Sequence, residues 1–331
     1  MVGRNEVAKL AGVAPSTVSN VINNTRYVSE DIRKKVLWAI NELGYEPNYV
    51  AKSLRSRRTK QIIVFISDLH NTYYADLCQG IIGTLTLHGY TVAIVVVSDP
   101  SVDYYKEYFS RQVDGIINLS HIFCAEDLFQ KFLGHKVAMV NCRPYDEIGS
   151  VSIDYLGAVS KFVDKLVARG RKCVGFINGG TMESVAGDSR YYGLKAYLQG
   201  KGVQFDGNLL INGNNQYANM VEFGYESMKI LMQRSPCLDG VFCINDMIAF
   251  GAWTYAAEAG KVIPRDISIC GCDNIFFSDF AGRKISTIAI DKVDYGVRCA
   301  KLLLAQLNED GELASTMRQD IYAEFIDRGS V

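Results

Sequence analysis

Eight short apolar runs constrain this chain most. Four form one series, IIVFIS (62–67), TVAIVVV (91–97), DGIINL (114–119) and KVAMVN (136–141); four form a second, RKCVGFI (171–177), NLLI (208–211), DGVFCI (239–244) and ISICGC (267–272). Apolar runs of this length, bounded by polar turns and lacking strict alternation, mark parallel strands covered on both faces. Parallel strands need crossover connections, and helical segments lie between the runs, for example Tyr155–Ala168, Tyr191–Gln199 and Met247–Ala259. Two series imply two doubly wound lobes with a cleft between them. At 331 residues the chain is long enough for two or three domains, each with its own core.

Ligands of open α/β sheets sit beyond the carboxyl ends of the strands. Those positions hold Asn71, Tyr73 and Tyr74 after the first run, and Asn141 and Arg143 after the fourth. The second series offers Asn245 and Asp246, then Asp273 and Asn274, and Arg190 stands at the head of a helix. Aromatics, amides, carboxylates and guanidinium groups suit a small polar ligand bearing hydroxyls. Plainer roles stay open: Asp246 as a helix N-cap, Tyr73 as surface packing, a strand-end Asn as a turn former.

The segment ahead of these runs is of another kind. Its first 60 residues hold 11 Lys and Arg against 5 Asp and Glu, a net +6, which leaves −7 for the remainder. A basic head on an acidic body points to a polyanion bound at one end, because phosphates reward Lys and Arg by releasing condensed counterions. The head reads as three helices. Val7–Ala11 presents Val7, Leu10 and Ala11 on one side, and Gly12 follows where a tight turn needs positive φ. A second helix begins near Pro15 with Val18, Val21 and Ile22 inward. A third runs from Ser29, its N-cap, to Leu43, with Ile32, Val36, Leu37 and Ile40 at helical spacing and Gly44 as stop. Small Ala8 and Ala11 let the first two helices close up as a helix-turn-helix.

The string VAKLAGVAPSTVSNVIN, followed by YVSEDIRKKVLWAINELGYEPNYVAKSL, closely resembles the DNA-binding head and hinge of the lactose-repressor (LacI/GalR) family of bacterial transcription regulators. The resemblance implies that Pro15, Ser16 and Asn20 read base edges and that Thr17 and Ser19 face phosphates or adjoining backbone. It makes residues 48–54 a hinge helix, with Ala51 in it and Leu54 wedged into the minor groove, and Arg55 the start of a basic linker continued by Arg57, Arg58 and Lys60. Where the family usually has Ser, this chain has Ala14, a poor cap costing about 1 kcal/mol.

The body is similar to the effector domain of the same family, which is built like a periplasmic sugar-binding protein. The motifs are Asp154-Tyr-Leu-Gly-Ala, Arg190-x-x-Gly193, Asn245-Asp246-x-x-Ala249-x-Gly251 and Asp266-Ile-Ser-Ile-Cys-Gly-Cys-Asp273-Asn274. By position, the family's effector contacts fall on Tyr73, Tyr74, Asn141, Arg190, Asn245 and Asp273; Asn141 stands where many relatives have Asp, and Cys272 where an aromatic or aliphatic residue is usual. The fold expected is an all-α helix-turn-helix head with a hinge helix, then a periplasmic-binding-protein-like α/β body of two doubly wound lobes. The divisions are 1–47 for DNA, 48–60 for hinge and linker, and 61–331 for effector binding and dimerisation.

Other classes find little support. No G-x-G-x-x-G, G-x-x-x-x-G-K-[ST] or G-x-S-x-G occurs. The four His (70, 88, 121 and 135) lack metal spacing, and the Cys270-Gly-Cys272 pair has no second half, so neither metal nor cofactor is expected. Nine cysteines, four of them (Cys173, Cys243, Cys270 and Cys272) in apolar runs, read as free core thiols. The polar start and the lack of a spanning apolar run predict a cytoplasmic protein without membrane contact. The chain is thus expected to be a homodimeric regulator of a pseudo-palindromic operator, controlled by a small effector, with a sugar favoured over a purine. An enzyme on the same doubly wound fold is the reading from another class.

Overall fold

The computed structural model describes residues 2–46, 58–97, 113–120, 137–180, 185, 187–203, 205, 207–213, 219–279, 282, 284–308 and 317–331. These form two compact units, one ending at Thr59 and the other beginning at Lys60.

The first unit holds α1 (Arg4–Ala11), α2 (Pro15–Asn23) and α3 (Glu30–Glu42). Gly12 at φ 68° turns the chain from α1 towards α2. The core is Val7, Ala8, Ala11, Val18, Val21, Val36 and Ala39. Two expected core residues are outside it: Leu10 is 42% exposed and Leu37 50%. The buried side of α1 is Val7, Ala8 and Ala11, because α1 packs on both α2 and α3 and only small side chains fit that corner. Ser29 occupies the N-cap of α3 but makes no side-chain cap bond.

The second unit contains β1 (Gln61–Ile66), α4 (Thr72–Leu87), β2 (Thr91–Val96), β3 (Gly115–Asn118), β4 (Ala138–Asn141) and β5 (Gly149–Asp154). It continues with α5 (Leu156–Ala168), β6 (Val174–Asn178), α6 (Ser189–Gly200), β7 (Leu210–Asn212), α7 (Met220–Arg234), β8 (Gly240–Cys243), α8 (Asp246–Glu258), β9 (Ser268–Cys272) and β10 (Ser286–Ala289). It ends with α9 (Lys292–Asn308), β11 (Arg318–Tyr322) and β12 (Glu324–Ile326). One sheet runs β11-β5-β4-β3-β1-β2 and the other β12-β10-β9-β8-β6-β7. All pairings are parallel except β10 with β12. Each of the eight apolar runs supplies one strand, in the two lobes expected.

The chain passes between the lobes three times: from β5 into α5, from β10 into α9, and from β11 into β12. Helix α9 therefore follows a strand of the second sheet yet packs on α4 and the first sheet. The same device serves both lobes. A Cβ on Gly80 of α4 would run into the Val293 carbonyl, and one on Gly296 of α9 into that of Leu77. In the second lobe Gly224 of α7 faces the Ile248 carbonyl, and Gly251 of α8 faces that of Val221. Each helix pair crosses backbone to backbone because neither glycine carries a side chain. Among the described residues no helix is long and apolar enough to cross a membrane.

Candidate functional site

Between the carboxyl ends of the two sheets lies a cavity of about 250 Å³, lined by Tyr73, Arg143 and Ser152 of the first lobe, Asp188, Ser189 and Arg190 of the second, and Tyr155 where the chain crosses. Helix-capping positions set its polar groups. Asn71 caps α4 by accepting from the Tyr73 amide at 3.0 Å, and Asp188 caps α6 by accepting from the Arg190 amide at 2.9 Å. These caps place Tyr73 and Arg190 in the first turns of helices that start at the cleft.

Arg190 is held on several sides. Its Nε and Nη2 donate to the Asp188 carboxylate at 3.0 and 2.6 Å, its Nη1 donates to the Ile244 carbonyl at 3.2 Å, and its guanidinium lies 4.9 Å from the Tyr155 ring centroid. A flat cation pinned by a fork and a ring presents a fixed face to a ligand. Burial pushes the Tyr73 and Tyr155 phenols well above their ordinary range, so both stay neutral and serve as donors or acceptors.

Asp273 is buried at φ 101°, and its Oδ2 accepts from Asn71 Nδ2 at 3.0 Å, joining the two lobes. Burial pushes its carboxyl up to about 6; the Asn71 amide, Arg190 and Lys292 pull the other way. Lys292 ties the segment down, donating to the carbonyls of Asp273 at 3.0 Å and Asn274 at 2.7 Å.

The residues singled out from sequence do not all meet at the cavity. Tyr73 and Arg190 line it, and Asp273 lies beside them. Tyr74 is a core residue that backs Tyr73 edge-on, with ring centroids 5.3 Å apart. Asn141 accepts from Asn118 Nδ2 at 2.7 Å and donates to the Arg143 carbonyl at 2.8 Å, shaping the Arg143 loop. Asn245 is the N-cap of α8, accepting from the Ile248 amide at 2.8 Å. Asp246, for which a capping role stood open, is instead buried beneath that end: it accepts from the Ile275 amide at 3.0 Å and the Thr287 hydroxyl at 2.7 Å, and from Ser278. Burial, with the charge of Asp273, pushes its carboxyl up to about 7. Tyr155, Asp188 and Tyr295 were not singled out as site residues. Asp188, one residue ahead of a helix that opens with Ser189-Arg190, carried a capping signal that would have found it.

In the head, Pro15 and Ser16 are exposed at the start of α2, and Thr17, Ser19 and Asn20 are half-buried. Ala14 is the N-cap and offers no side-chain acceptor to the first-turn amides. A helix start left without a side-chain cap favours an anion. Ser19 accepts from Arg4 Nη1 at 2.7 Å, and Asn20 Oδ1 accepts from the Thr25 hydroxyl at 3.0 Å. Ala51, Leu54 and Arg55 lie outside the described residues.

Residues 5–48 match the model for bacterial regulatory proteins of the lacI family, and residues 163–331 match a periplasmic binding protein-like domain. The HTH-type transcriptional regulator RegA of Clostridium saccharobutylicum is 32% identical over 310 residues, covering 92% of each chain. The chain belongs to the lacI family. The HTH-type transcriptional repressor PurR of Pasteurella multocida is 30% identical over 337 residues, covering 98% of this chain and 97% of that one. Among solved structures, the lac repressor dimer bound to operator and the anti-inducer ONPF is similar at a TM-score of 0.83 and 24% identity, with 99% of this chain and 98% of that one covered. The transcriptional regulator CelR in complex with cellobiose is similar at a TM-score of 0.71 and 25% identity, with both chains covered in full. This lacI-family member is a DNA-binding transcriptional regulator with a ligand-binding effector domain. The relatives named are regulators, not enzymes.

Proposed function

We propose that the chain represses transcription as a homodimer on a near-palindromic operator, and that a sugar bound between the lobes sets its operator affinity. In this reading residues 1–47 read the operator, 48–60 form the hinge and linker, and 61–331 bind effector and pair the subunits. The observation that carries the ligand class is the cavity wall, which the Arg190 guanidinium, the Asp188 carboxylate and the side chains of Ser152 and Ser189 share with Tyr73 and Tyr155. Vicinal hydroxyls accept from a guanidinium and donate to a carboxylate, while an aromatic ring covers the apolar face of a pyranose. The similar CelR structure holds cellobiose.

In the head, the exposed start of α2 enters a major groove, with Pro15, Ser16 and Asn20 at base edges and Thr17 and Ser19 at the backbone. By the sequence pattern alone, Ala51 and Leu54 act in the minor groove and Arg55 contacts phosphates at the start of the linker. Twofold pairing of heads matches a twofold site. The effector acts by binding one lobe arrangement more tightly than the other. A thermal-shift screen against sugars, sugar phosphates and nucleobases, followed by operator titration with the best hit, tests the reading. Stabilisation by a sugar that also shifts operator affinity supports it; a nucleobase as best ligand, or turnover of the bound sugar, refutes it.

A further inference from the structure

Two thiols lie at the amino-terminal end of the second sheet, the end opposite the cleft. Cys173 precedes β6 and is buried, whereas Cys237, in the turn between α7 and β8, is exposed. Their Sγ atoms are 2.9 Å apart, and the Ser235 hydroxyl lies 3.3 Å from Cys173 Sγ and 3.2 Å from Cys237 Sγ. Backbone and carboxylate contacts hold the two segments together without help from the sulfurs. The Asp239 carboxylate accepts from the Lys172 amide at 2.9 and 3.1 Å and from the Cys173 amide at 2.9 Å. In return, the amides of Asp239 and Gly240 donate to the Cys173 carbonyl at 3.0 and 3.2 Å. Closing an S–S bond of about 2.05 Å therefore asks for side-chain movement only. Among the described cysteines Cys237 alone is exposed.

We propose that Cys173 and Cys237 are a peroxide-responsive pair that closes to a reversible disulfide. The Cys237 thiolate attacks one peroxide oxygen; an S–O bond forms, the O–O bond breaks, and the departing hydroxide takes up a proton as water. Cys173 sulfur then attacks the Cys237 sulfenic acid; the S–S bond forms, the S–O bond breaks, and the hydroxyl leaves as water with the Cys173 proton. Overall two thiols lose two electrons and two protons, and hydrogen peroxide is reduced to two waters. A small thiol reverses the reaction by exchange. The order follows from the surroundings. Hydrogen bonds from the Cys173 thiol and the Ser235 hydroxyl lower the pKa of Cys237, while burial pushes Cys173 up to about 11. Cys237 is therefore the attacking sulfur and Cys173 the resolving one.

The disulfide would close a loop holding β6, α6, β7 and α7, a large part of the second lobe. The test titrates the full-length protein with hydrogen peroxide, blocks remaining thiols, digests without reductant and maps the peptides by mass spectrometry. A peptide linking Cys173 to Cys237 is expected at equimolar peroxide, ahead of oxidation at other cysteines, and is lost on adding dithiothreitol. In Cys173→Ser, a sulfenic acid trapped by dimedone at Cys237 is expected. Oxidation of Cys237 to sulfinic acid without the link, or earlier oxidation of other cysteines, overturns the proposal. The deciding map is made on the unaltered chain, so the outcome does not depend on a variant folding.

Discussion

Asn71 Nδ2 donates to Asp273 Oδ2 at 3.0 Å, a bond between residues 202 positions apart that joins the carboxyl end of the first strand in one lobe to the carboxyl end of β9 in the other. Both residues also hold local structure: Asn71 caps α4, and Asp273 sits at positive φ above Lys292. The contact therefore reports lobe arrangement and site integrity together. Asp273→Ala is expected to weaken effector binding more than tenfold, since a lost charge-assisted hydrogen bond costs about 1.5–3 kcal/mol. Operator binding by effector-free protein should persist. Calorimetry on the ligand found by screening checks this, and equal affinities would remove Asp273 from the site.

Arg190 makes a demand that Lys does not meet. Its bidentate pairing with Asp188 and its stacking on Tyr155 both need a planar guanidinium. Arg190→Lys should weaken the effector at least tenfold while leaving the protein folded. A change below twofold would mean that charge, not shape, is what the ligand reads.

Two buried carboxyls give the body an acid-favouring stability. Burial pushes Asp273 up to about 6 and Asp246 up to about 7, against an ordinary value of 3.8. A group whose folded pKa lies above its unfolded one binds protons more tightly when folded, so stability falls as pH rises from about 4 to about 7. At about 1.36 kcal/mol per pKa unit, each carboxyl contributes on the order of a few kcal/mol. Melting temperature should drop between pH 5 and pH 7.5, and Asp273→Asn should flatten the slope. An unchanged slope would show that Asp273 does not titrate in this range.

Asn20 bears on operator preference. Its Oδ1 accepts from Thr25, so pairing bidentately with adenine requires exchanging that bond. Asn20→Arg is expected to switch preference at one symmetric base position towards guanine, at about 1–3 kcal/mol per pair. Selection from a randomised operator library reads the outcome; a consensus identical to that of the parent would place Asn20 on the backbone.

Gly251 gives the sharpest test of packing. A Cβ there meets the Val221 carbonyl and the Tyr225 amide, both backbone, with no flexible side chain to yield. Gly251→Ala should cost about 2–4 kcal/mol or prevent folding. A melting temperature within a degree of the parent would show that α7 and α8 do not cross as described.

Apolar runs carried eight strands; six of them are interior, where residues buried on both faces leave a continuous signal, while β2 and β7 are apolar strands at sheet edges. The other four gave no such run, and for three of them the physical reason is visible. β10 reads as polar, yet its Ser286 is buried with its hydroxyl bonded to Asp327 and its amide to the Ser330 hydroxyl. β11 and β12 are short strands at sheet edges, where alternation is weak. At the site, strand ends pointed to Tyr73 and Asp273, and a helix head to Arg190. Tyr74, Asn141 and Asn245 instead make packing, loop and capping contacts, because an amide or phenol near a strand end serves those roles as readily as a ligand. Tyr155 and Tyr295 come together across 140 residues of chain, the Tyr295 hydroxyl donating to the Val151 carbonyl at 2.8 Å. Nothing local foretells such a meeting.

The three passes of the chain between the lobes restrict how those lobes move. A body joined by one tether swings in any direction, whereas three tethers must bend in concert. Two of them are bonded to each other, the Ala323 amide donating to the Asp154 carbonyl at 2.8 Å. Torque applied in the cleft is therefore expected to favour motions that all three tethers share. Chemically unlike ligands would then differ in how far they turn the second lobe and share the axis about which it turns.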